Sequence, residues 1–266
     1  MEPAVRSRVR VLGVEVDPLR AGELEAEISR FVREGRRATV LNVNAHCLNL
    51  AWRDSRLRAA LRAADLVFCD GDGVRLAARL CGGYIPERIT YADWIWSLAG
   101  LAAGRGFSVY LLGARPGVAE EAARRLSARH PALRMAGTHH GYFNHRPGSP
   151  GNEEVIRRIN AADPDILLVC FGMPEQELWL FENRERLSAR VALTGGAALD
   201  YASGRLRRGP RLLTENGMEW LARLAIEPHR LWRRYLIGNP LFLLRVLGWR
   251  LLGRRQCRRG ILSCRR

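Results

Sequence analysis

Five polar side chains stand directly behind short apolar runs, and their types suit proton transfer and hydroxyl recognition. Asn42 and Asn44 follow Thr39-Val40-Leu41, Asp70 and Asp72 follow Leu66-Val67-Phe68-Cys69, and Gln176 follows Ile166 to Gly172. A carboxylate such as Asp70 can take a proton from an attacking hydroxyl. A carboxamide donates and accepts hydrogen bonds at once, which suits the hydroxyls of a sugar. Each position also has an ordinary reading, because Asp or Asn after a strand is commonly a turn former or helix cap. Gly71 lets the backbone approach a ligand closely. The turn from Gly113 to Gly117 could offer N–H groups to a phosphate, but it lacks the full dinucleotide fingerprint and the P-loop Lys, so a tight structural turn serves equally well. His139 and His140 are adjacent and point to opposite sides of an extended chain, which favours polar loop histidines over a shared metal ion. Arg223, Arg230 and Arg233 are spaced seven and three apart and share one face if the helix is continuous. They form either a solvated basic face or a clamp for a diphosphate, to which Arg gives bidentate contacts without a metal.

These residues need elements to hold them, and the pattern alternates strand with helix. Val9 to Val16 alternates like a strand, Leu24, Ile28 and Phe31 repeat at helical spacing, and Asp54 stands as the cap of a helix carrying Leu57 and Leu61. Strands are expected at 66–69, 109–112, near 133–136, at 166–171 and at 191–194, with a surface loop at 145–152. Pro174 marks the start of a helix whose first turn holds Glu175 and Glu177. Repeated βα units imply an α/β fold with a largely parallel, Rossmann-like sheet and flanking helices, in which the strand carboxyl ends share one edge where ligands bind. After Gly204 the composition changes. We therefore divide the chain into an α/β catalytic domain, 1–204, and an Arg-rich helical appendage, 205–266, with Arg254 to Arg266 as a frayed end.

Charge follows the same division. All 43 basic residues are Arg, and the net charge is +16. Residues 205–266 hold 16 Arg against Glu215, Glu219 and Glu227, so about +13 of that charge sits in the appendage. A near-neutral body with a basic extension implies an anionic partner: membrane lipid, phosphate groups or nucleic acid. Leu241, Phe242, Leu243, Leu247, Trp249 and Leu251 lie among the appendage arginines and offer apolar surface to a membrane, or else pack into a core. The stretch from Leu241 to Leu252 contains Arg245 and Arg250 and is too short to span a bilayer. Met1 to Arg10 has no apolar signal-peptide core, and the six cysteines show neither metal-like spacing nor a disulfide framework, which fits a reducing cytoplasm.

Taken together, these segments resemble the WecG/TagA/CpsF family of bacterial glycosyltransferases. The match is carried by Asn42-Val43-Asn44 with Leu48 to Ala51, by Ala64 to Val67 leading to Asp70-Gly71-Asp72-Gly73-Val74, and by Leu112-Gly113 with Pro116 to Ala119. It continues through Gly141-Tyr142-Phe143, Gly172, Pro174, Gln176-Glu177 and Trp179, then Gly195-Gly196-Ala197, Asp200, Gly204, Arg208 and Pro210. Glu219-Trp220, Arg223, Glu227-Pro228, Arg230 and Arg233-Arg234-Tyr235 complete it. The resemblance implies an inverting, metal-independent transfer from a UDP-sugar to a sugar on undecaprenyl diphosphate, at the inner face of the cytoplasmic membrane, in cell-surface polysaccharide synthesis. The sugar would be of the N-acetylmannosamine type, its uronic acid, or glucose. The catalytic residues would be Asp70 and Gln176. The substrate-binding set would be Asn42, Asn44, Gly71, Gly113, Gly172, Gly196, Asp200, Arg208, Arg223, Arg230 and Arg233, with no metal and no cofactor. Partners would be the UDP-sugar, the polyprenyl-diphosphate-linked acceptor and an anionic membrane surface; self-association is compatible with the sequence and nucleic acid is not expected. Three departures stand out: Asn42 where the family usually has Thr, Leu199 for a common Phe, and Gly209 for a common Ala. The alternatives are a nucleic-acid-binding protein using the Arg-rich tail, and a nucleotide-sugar epimerase, which would need the missing dinucleotide fingerprint.

Overall fold

The structure, a computed structural model, describes residues 7–210, Thr214 and residues 218–263, the side chains of 219 and 252–263 excepted. The parallel strands are β3 (Ala38–Val43), β4 (Leu66–Cys69), β5 (Ser108–Gly113), β6 (Arg134–His139), β7 (Ile166–Cys170) and β8 (Val191–Thr194). They form one sheet in the order β4-β3-β8-β7-β5-β6. The α/β reading of the sequence therefore holds. Alternate strand residues enter opposite cores: Leu41, Val43, Val67, Leu167 and Val169 pack on one side, and Val40, Phe68, Leu111, Leu168 and Leu193 on the other. That is why these strands read as unbroken apolar runs rather than alternating ones.

Helices cover both faces. The side of Val40 and Phe68 is covered by α1 (Ala21–Arg33), α5 (Tyr91–Arg105), α6 (Val118–Arg129) and α9 (Ala198–Ala202). The side of Leu41 and Val67 is covered by α2 (Ala45–Ala51), α3 (Ser55–Ala63), α4 (Asp72–Leu80), α7 (Pro150–Ala162) and α8 (Glu175–Asn183). Asp54 caps α3 as expected, its Oδ1 accepting from the N–H of Arg56 at 2.8 Å and of Leu57 at 3.2 Å. Strand β3 pairs with β4 on one side and with β8, the last strand, on the other. The order of connections reverses there, and a crevice opens above the carboxyl ends of β3, β4, β7 and β8.

Three expectations change. The segment Val9 to Val16 is a hairpin, β1 (Val9–Val11) with β2 (Val14–Val16), because Leu12 and Gly13 turn at φ 50° and 83°. The loop expected at 145–152 ends early, since Ser149 caps α7 and Pro150 opens it. The appendage is interrupted: α10 (Glu219–Ile226) stops before Pro228, which opens α11 (Pro228–Trp232), and a π turn (Arg233–Ile237) leads into α12 (Gly238–Ser263). Of the end expected to fray, Arg254 to Ser263 instead continues α12, and residues 264–266 lie outside the described residues.

Helix α12 lies against α2 and α4. Phe242 and Val246 are buried in the core of the body, and Trp249 packs edge-on to Trp52 at 6.1 Å. Asn49 donates to the carbonyl of Gly238 at 2.7 Å and accepts from Arg245 through Oδ1 at 2.7 Å. Of the six residues expected to be available to a membrane, Phe242 is buried and Leu241 and Trp249 are half-buried, while Leu243, Leu247 and Leu251 are exposed. With Leu236, Ile237 and Leu244 these form an outward apolar stripe. Among the described residues no helix is long and apolar enough to cross a membrane. Because Phe242 is a full member of the core, Phe242→Ala should cost about 3–5 kcal/mol in urea unfolding; a loss below about 1 kcal/mol would mean that α12 is only loosely applied to the body.

Candidate active site

Asn42 and Asp70 sit at the carboxyl ends of neighbouring strands, where the register pairs Asn42 with Phe68. Asp70, two residues beyond Phe68, returns to the same face of the sheet. Asn42 is buried, and its Nδ2 donates to Asp70 Oδ2 at 2.9 Å. The Oδ1 of Asn42 accepts from the hydroxyl of buried Thr194 at 2.9 Å, and Thr194 Oγ1 also accepts from the Asn42 N–H at 3.3 Å. The hydroxyl fixes which end of the carboxamide faces Asp70, so the carboxylate meets an N–H donor rather than a lone pair. This differs from the expectation that Asn42 orients a sugar: its amide orients the carboxylate. Thr194, at the last position of β8, went unnoticed in the sequence, where one small polar residue ending a strand carries no distinctive signal.

Gln176 also differs from expectation. It is completely buried, and its Oε1 accepts from the N–H of Gly172 at 3.2 Å and of Gly196 at 3.0 Å. Its Nε2 donates to Glu177 Oε1 at 2.7 Å. The amide is used up inside the protein, tying the loop after β7 to the loop after β8, rather than facing a substrate. Glu177 is fully buried too, and its Oε2 meets no hydrogen-bond partner. Burial pushes this carboxyl up to about 7, with the Gln176 N–H pulling partly back. Sequence alone gave Glu177 the role of a first-turn acid on α8.

The cleft above these residues measures about 2370 Å³, well beyond the roughly 300–1,000 Å³ of a site for one small ligand. Its walls include Asn42, Asn44, Asp70, Gly71, Gly172, Gly196, Asp200, Arg223, Arg230 and Arg233. Asn44 takes the ordinary role, capping α2 through Oδ1 to the Cys47 N–H at 3.0 Å. Asp72 is held by Arg75 at 3.3 Å and Arg88 at 2.9 Å. Two expected ligand residues stand outside the lining. Gly113 is a packing position: at φ 141° an added Cβ would lie 2.4 Å from the Cys170 carbonyl oxygen. Arg208 forms an ion pair with Asp93.

The three spaced arginines lie on α10, α11 and the π turn rather than on one helix face, since Pro228 breaks the helix, yet all three reach the cleft. Glu227 joins two of them, 4.0 Å from Arg223 and 3.1 Å from Arg230. Arg233 is exposed and lies over the Trp232 ring at 5.2 Å. Its neighbour Arg234 also lines the cleft, and the Nε atoms of Arg223 and Arg234 are buried without a hydrogen-bond partner. Burial lowers the proton affinity of Arg234, and neighbouring Arg223 lowers it further while Tyr235 and Asp70 support the charge. Burial beside Arg234 also holds His46, another cleft residue, down to about 4, so it is neutral at physiological pH. Asp200 is raised by its burial, against the pull of Arg230, Arg205 and Arg115. Paired cations facing one carboxylate in a half-buried cleft suit a reaction that deprotonates a hydroxyl while anionic charge builds on a phosphate group. Among the described residues no group of three or more metal-ligating side chains is present. Of the histidine pair, His139 Nδ1 lies 2.7 Å from the His140 carbonyl oxygen and His140 Nδ1 accepts from the Tyr142 N–H.

Comparison with known proteins adds an independent line. The model of the glycosyl transferase WecG/TagA/CpsF family matches residues 9–256. Among curated proteins, the chain is 29% identical over 217 residues to an N-acetylglucosaminyldiphosphoundecaprenol N-acetyl-beta-D-mannosaminyltransferase of Bacillus spizizenii, covering 82% of this chain and 81% of that one. Proteins of the same name from Bacillus subtilis (28% over 210 residues, 79% of each chain) and Staphylococcus aureus strain MRSA252 (26% over 242 residues, 90% of this chain and 92% of the relative) are also similar.

The buried Glu177 gives the site a measurable pH signature. Its folded-state proton affinity is raised from an ordinary value of 4.5 to about 7, so between those values the unfolded chain has released a proton that the folded chain retains. Stability from this group therefore falls as pH rises through that window, by up to about 3 kcal/mol. Glu177→Gln removes the titration. Its unfolding free energy relative to the parent should climb between pH 5 and pH 8, whereas a flat difference would mean that Glu177 titrates normally.

Proposed function

The chain belongs to the glycosyl transferase WecG/TagA/CpsF family and is a glycosyltransferase, and on that premise we propose a reaction in which Asp70 is the base of a single displacement. The donor is a UDP-sugar of the N-acetylmannosamine type, and the acceptor is a sugar carried on a polyprenyl diphosphate. The acceptor hydroxyl attacks the anomeric carbon as Asp70 takes its proton, the bond to the donor diphosphate breaks, and the configuration inverts. Arg223, Arg230 and Arg234 stabilise the charge that develops on the departing diphosphate. Gly71, Gly172 and Gly196 bring backbone close to the bound sugars, and Asp200 holds the Arg230 side of the cleft.

One observation carries this reading: Asp70 is oriented by the buried Thr194-Asn42 pair at the floor of a cleft walled by Arg223 and Arg234. A carboxylate fixed from behind by a donor keeps its geometry while the substrate exchanges. The size of the cleft suits two substrates at once. The arginines of the appendage from Arg223 to Arg245 also bear on the nucleic-acid reading, since Arg223, Arg230, Arg233, Arg234 and Arg245 all line the cleft. The outward stripe of Leu236, Ile237, Leu243, Leu244, Leu247 and Leu251 is the face we assign to the inner surface of the cytoplasmic membrane, where a lipid-linked acceptor resides.

The test is a panel of UDP-sugars with a short-chain prenyl-diphosphate-linked acceptor, read by mass spectrometry. Asp70→Asn should lower turnover by about 10²- to 10⁴-fold while nucleotide binding persists; near-normal turnover would reject Asp70 as the base. Within the arginine set, Arg234→Gln should reduce turnover more than Arg233→Gln, because Arg234 is the one turned inward toward Asp70. The reverse order would place the diphosphate on the exposed side of the turn.

A further inference from the structure

The cleft has a second cationic corner that the Asp70 site does not use. Arg53 follows the C-terminus of α2, Arg245 lies on the inner face of α12, and both line the cleft. Arg245 is held in place on two sides. Its Nη1 donates to the Asn49 carbonyl at 3.0 Å and to Asn49 Oδ1 at 2.7 Å, and its guanidinium lies over Trp52 at 5.9 Å. All its partners are neutral. Among the described residues neither Arg53 nor Arg245 has a carboxylate within ion-pair distance. Burial, and then the nearness of Arg53, lower the proton affinity of Arg245. Two cations held at one corner without an acid between them are an arrangement that an anion relieves. Of the other cleft arginines, Arg75 and Arg88 pair with Asp72, Arg56 with Glu182, and Arg223 and Arg230 with Glu227.

The surroundings indicate which anion fits. On α12 the stripe Leu241, Phe242, Arg245, Val246 and Trp249 faces the body, while Leu243, Leu244 and Leu247 beside it are exposed. Leu243 and half-buried Leu241 also line the cleft. A ligand that places phosphate at Arg53 and Arg245 and then leaves along α12 meets apolar surface at once. That pattern suits a diphosphate carrying a long hydrocarbon chain, and it does not suit a nucleotide.

We propose that Arg53 and Arg245 bind the diphosphate of the polyprenyl-linked acceptor at the mouth formed by α2 and α12, apart from Arg223 and Arg234, which face the donor diphosphate. This rests on the glycosyltransferase reading above. It gives the cleft a direction: donor toward the loops after β7 and β8, acceptor toward α12, and Asp70 between them. Two diphosphates in one cleft repel unless each has its own cations, and two separate arginine pairs supply them.

The test uses the full chain and a short-chain prenyl-diphosphate-linked sugar in solution without vesicles. Direct binding without donor is measured by equilibrium dialysis, and steady-state kinetics are measured with donor. Arg53→Gln changes an exposed side chain and leaves the fold intact. It should weaken acceptor binding and raise the acceptor KM about tenfold, with the donor KM and kcat unchanged. Arg245→Gln should do the same, with thermal melting followed in parallel because Asn49 loses a partner. Unchanged acceptor binding in Arg53→Gln, or a rise confined to the donor KM, overturns the assignment. A third arm separates the acceptor from membrane headgroups. If Arg53→Gln lowers co-sedimentation with anionic vesicles while soluble-acceptor binding is untouched, the corner reads lipid headgroups and the proposal fails. If the parent protein binds the acceptor through Arg53 but transfers no sugar from any donor, the reaction assigned above fails while this site stands.

Discussion

Two hydrogen bonds of 2.9 Å, from the Thr194 hydroxyl to Asn42 and from the Asn42 amide to Asp70, determine how the rest of the site is arranged. An aspartate on the rim of a sheet has two free torsions and would swing with its solvent. Here the carboxamide behind it has one orientation, because its oxygen is occupied by a hydroxyl that is itself buried. The constraint comes from three adjacent strands, β8, β3 and β4, so it is as rigid as the sheet. Substitution at Asn42 thus bears on how the Asp70 carboxylate is held.

The same logic recurs one layer away. Gln176 binds the Gly172 and Gly196 amides and is itself oriented by Glu177. The loops after β7 and β8 are thereby fixed to each other without contributing an acid or a base to the cleft. A buried carboxyl with one oxygen unpartnered costs stability near neutral pH. The benefit is a defined amide orientation, since Nε2 must point to Glu177 and Oε1 must then face the two backbone donors. Helix α12 closes the other side, and its buried Phe242 and Val246 bind the appendage to the body firmly enough for Arg245 to serve as part of the cleft wall.

Much of this was legible in the sequence, for reasons that can be named. Strands β4, β7 and β8 are buried on both faces, so unbroken apolar runs ending at Asp70, Gly172 and Gly195 marked them within a residue. The edge on which the polar residues meet followed from parallel strands. Other features were hidden by non-local causes. A turn at Leu12 with positive φ is not signalled by a leucine, so the first hairpin read as one strand. Pro228 was a visible helix start, and giving it full weight would have separated Arg223 from Arg230. The choice of Arg234 over Arg233 depends on how the π turn rotates the chain, which spacing does not reveal. The roles of Gln176 and Thr194 depend on partners 20 and 152 residues away, and one sequence does not carry that information.

In the proposed reaction Asp70, set by Asn42, faces a donor whose diphosphate is held by Arg223 and Arg234. A crystal structure with UDP bound tests it most directly. The diphosphate is expected within hydrogen-bond distance of both guanidinium groups, with its terminal phosphate turned toward Asp70 and the Asn42 contact intact. A nucleotide seated at the Arg53–Arg245 corner, or bound with Asp70 swung away from Asn42, would contradict it.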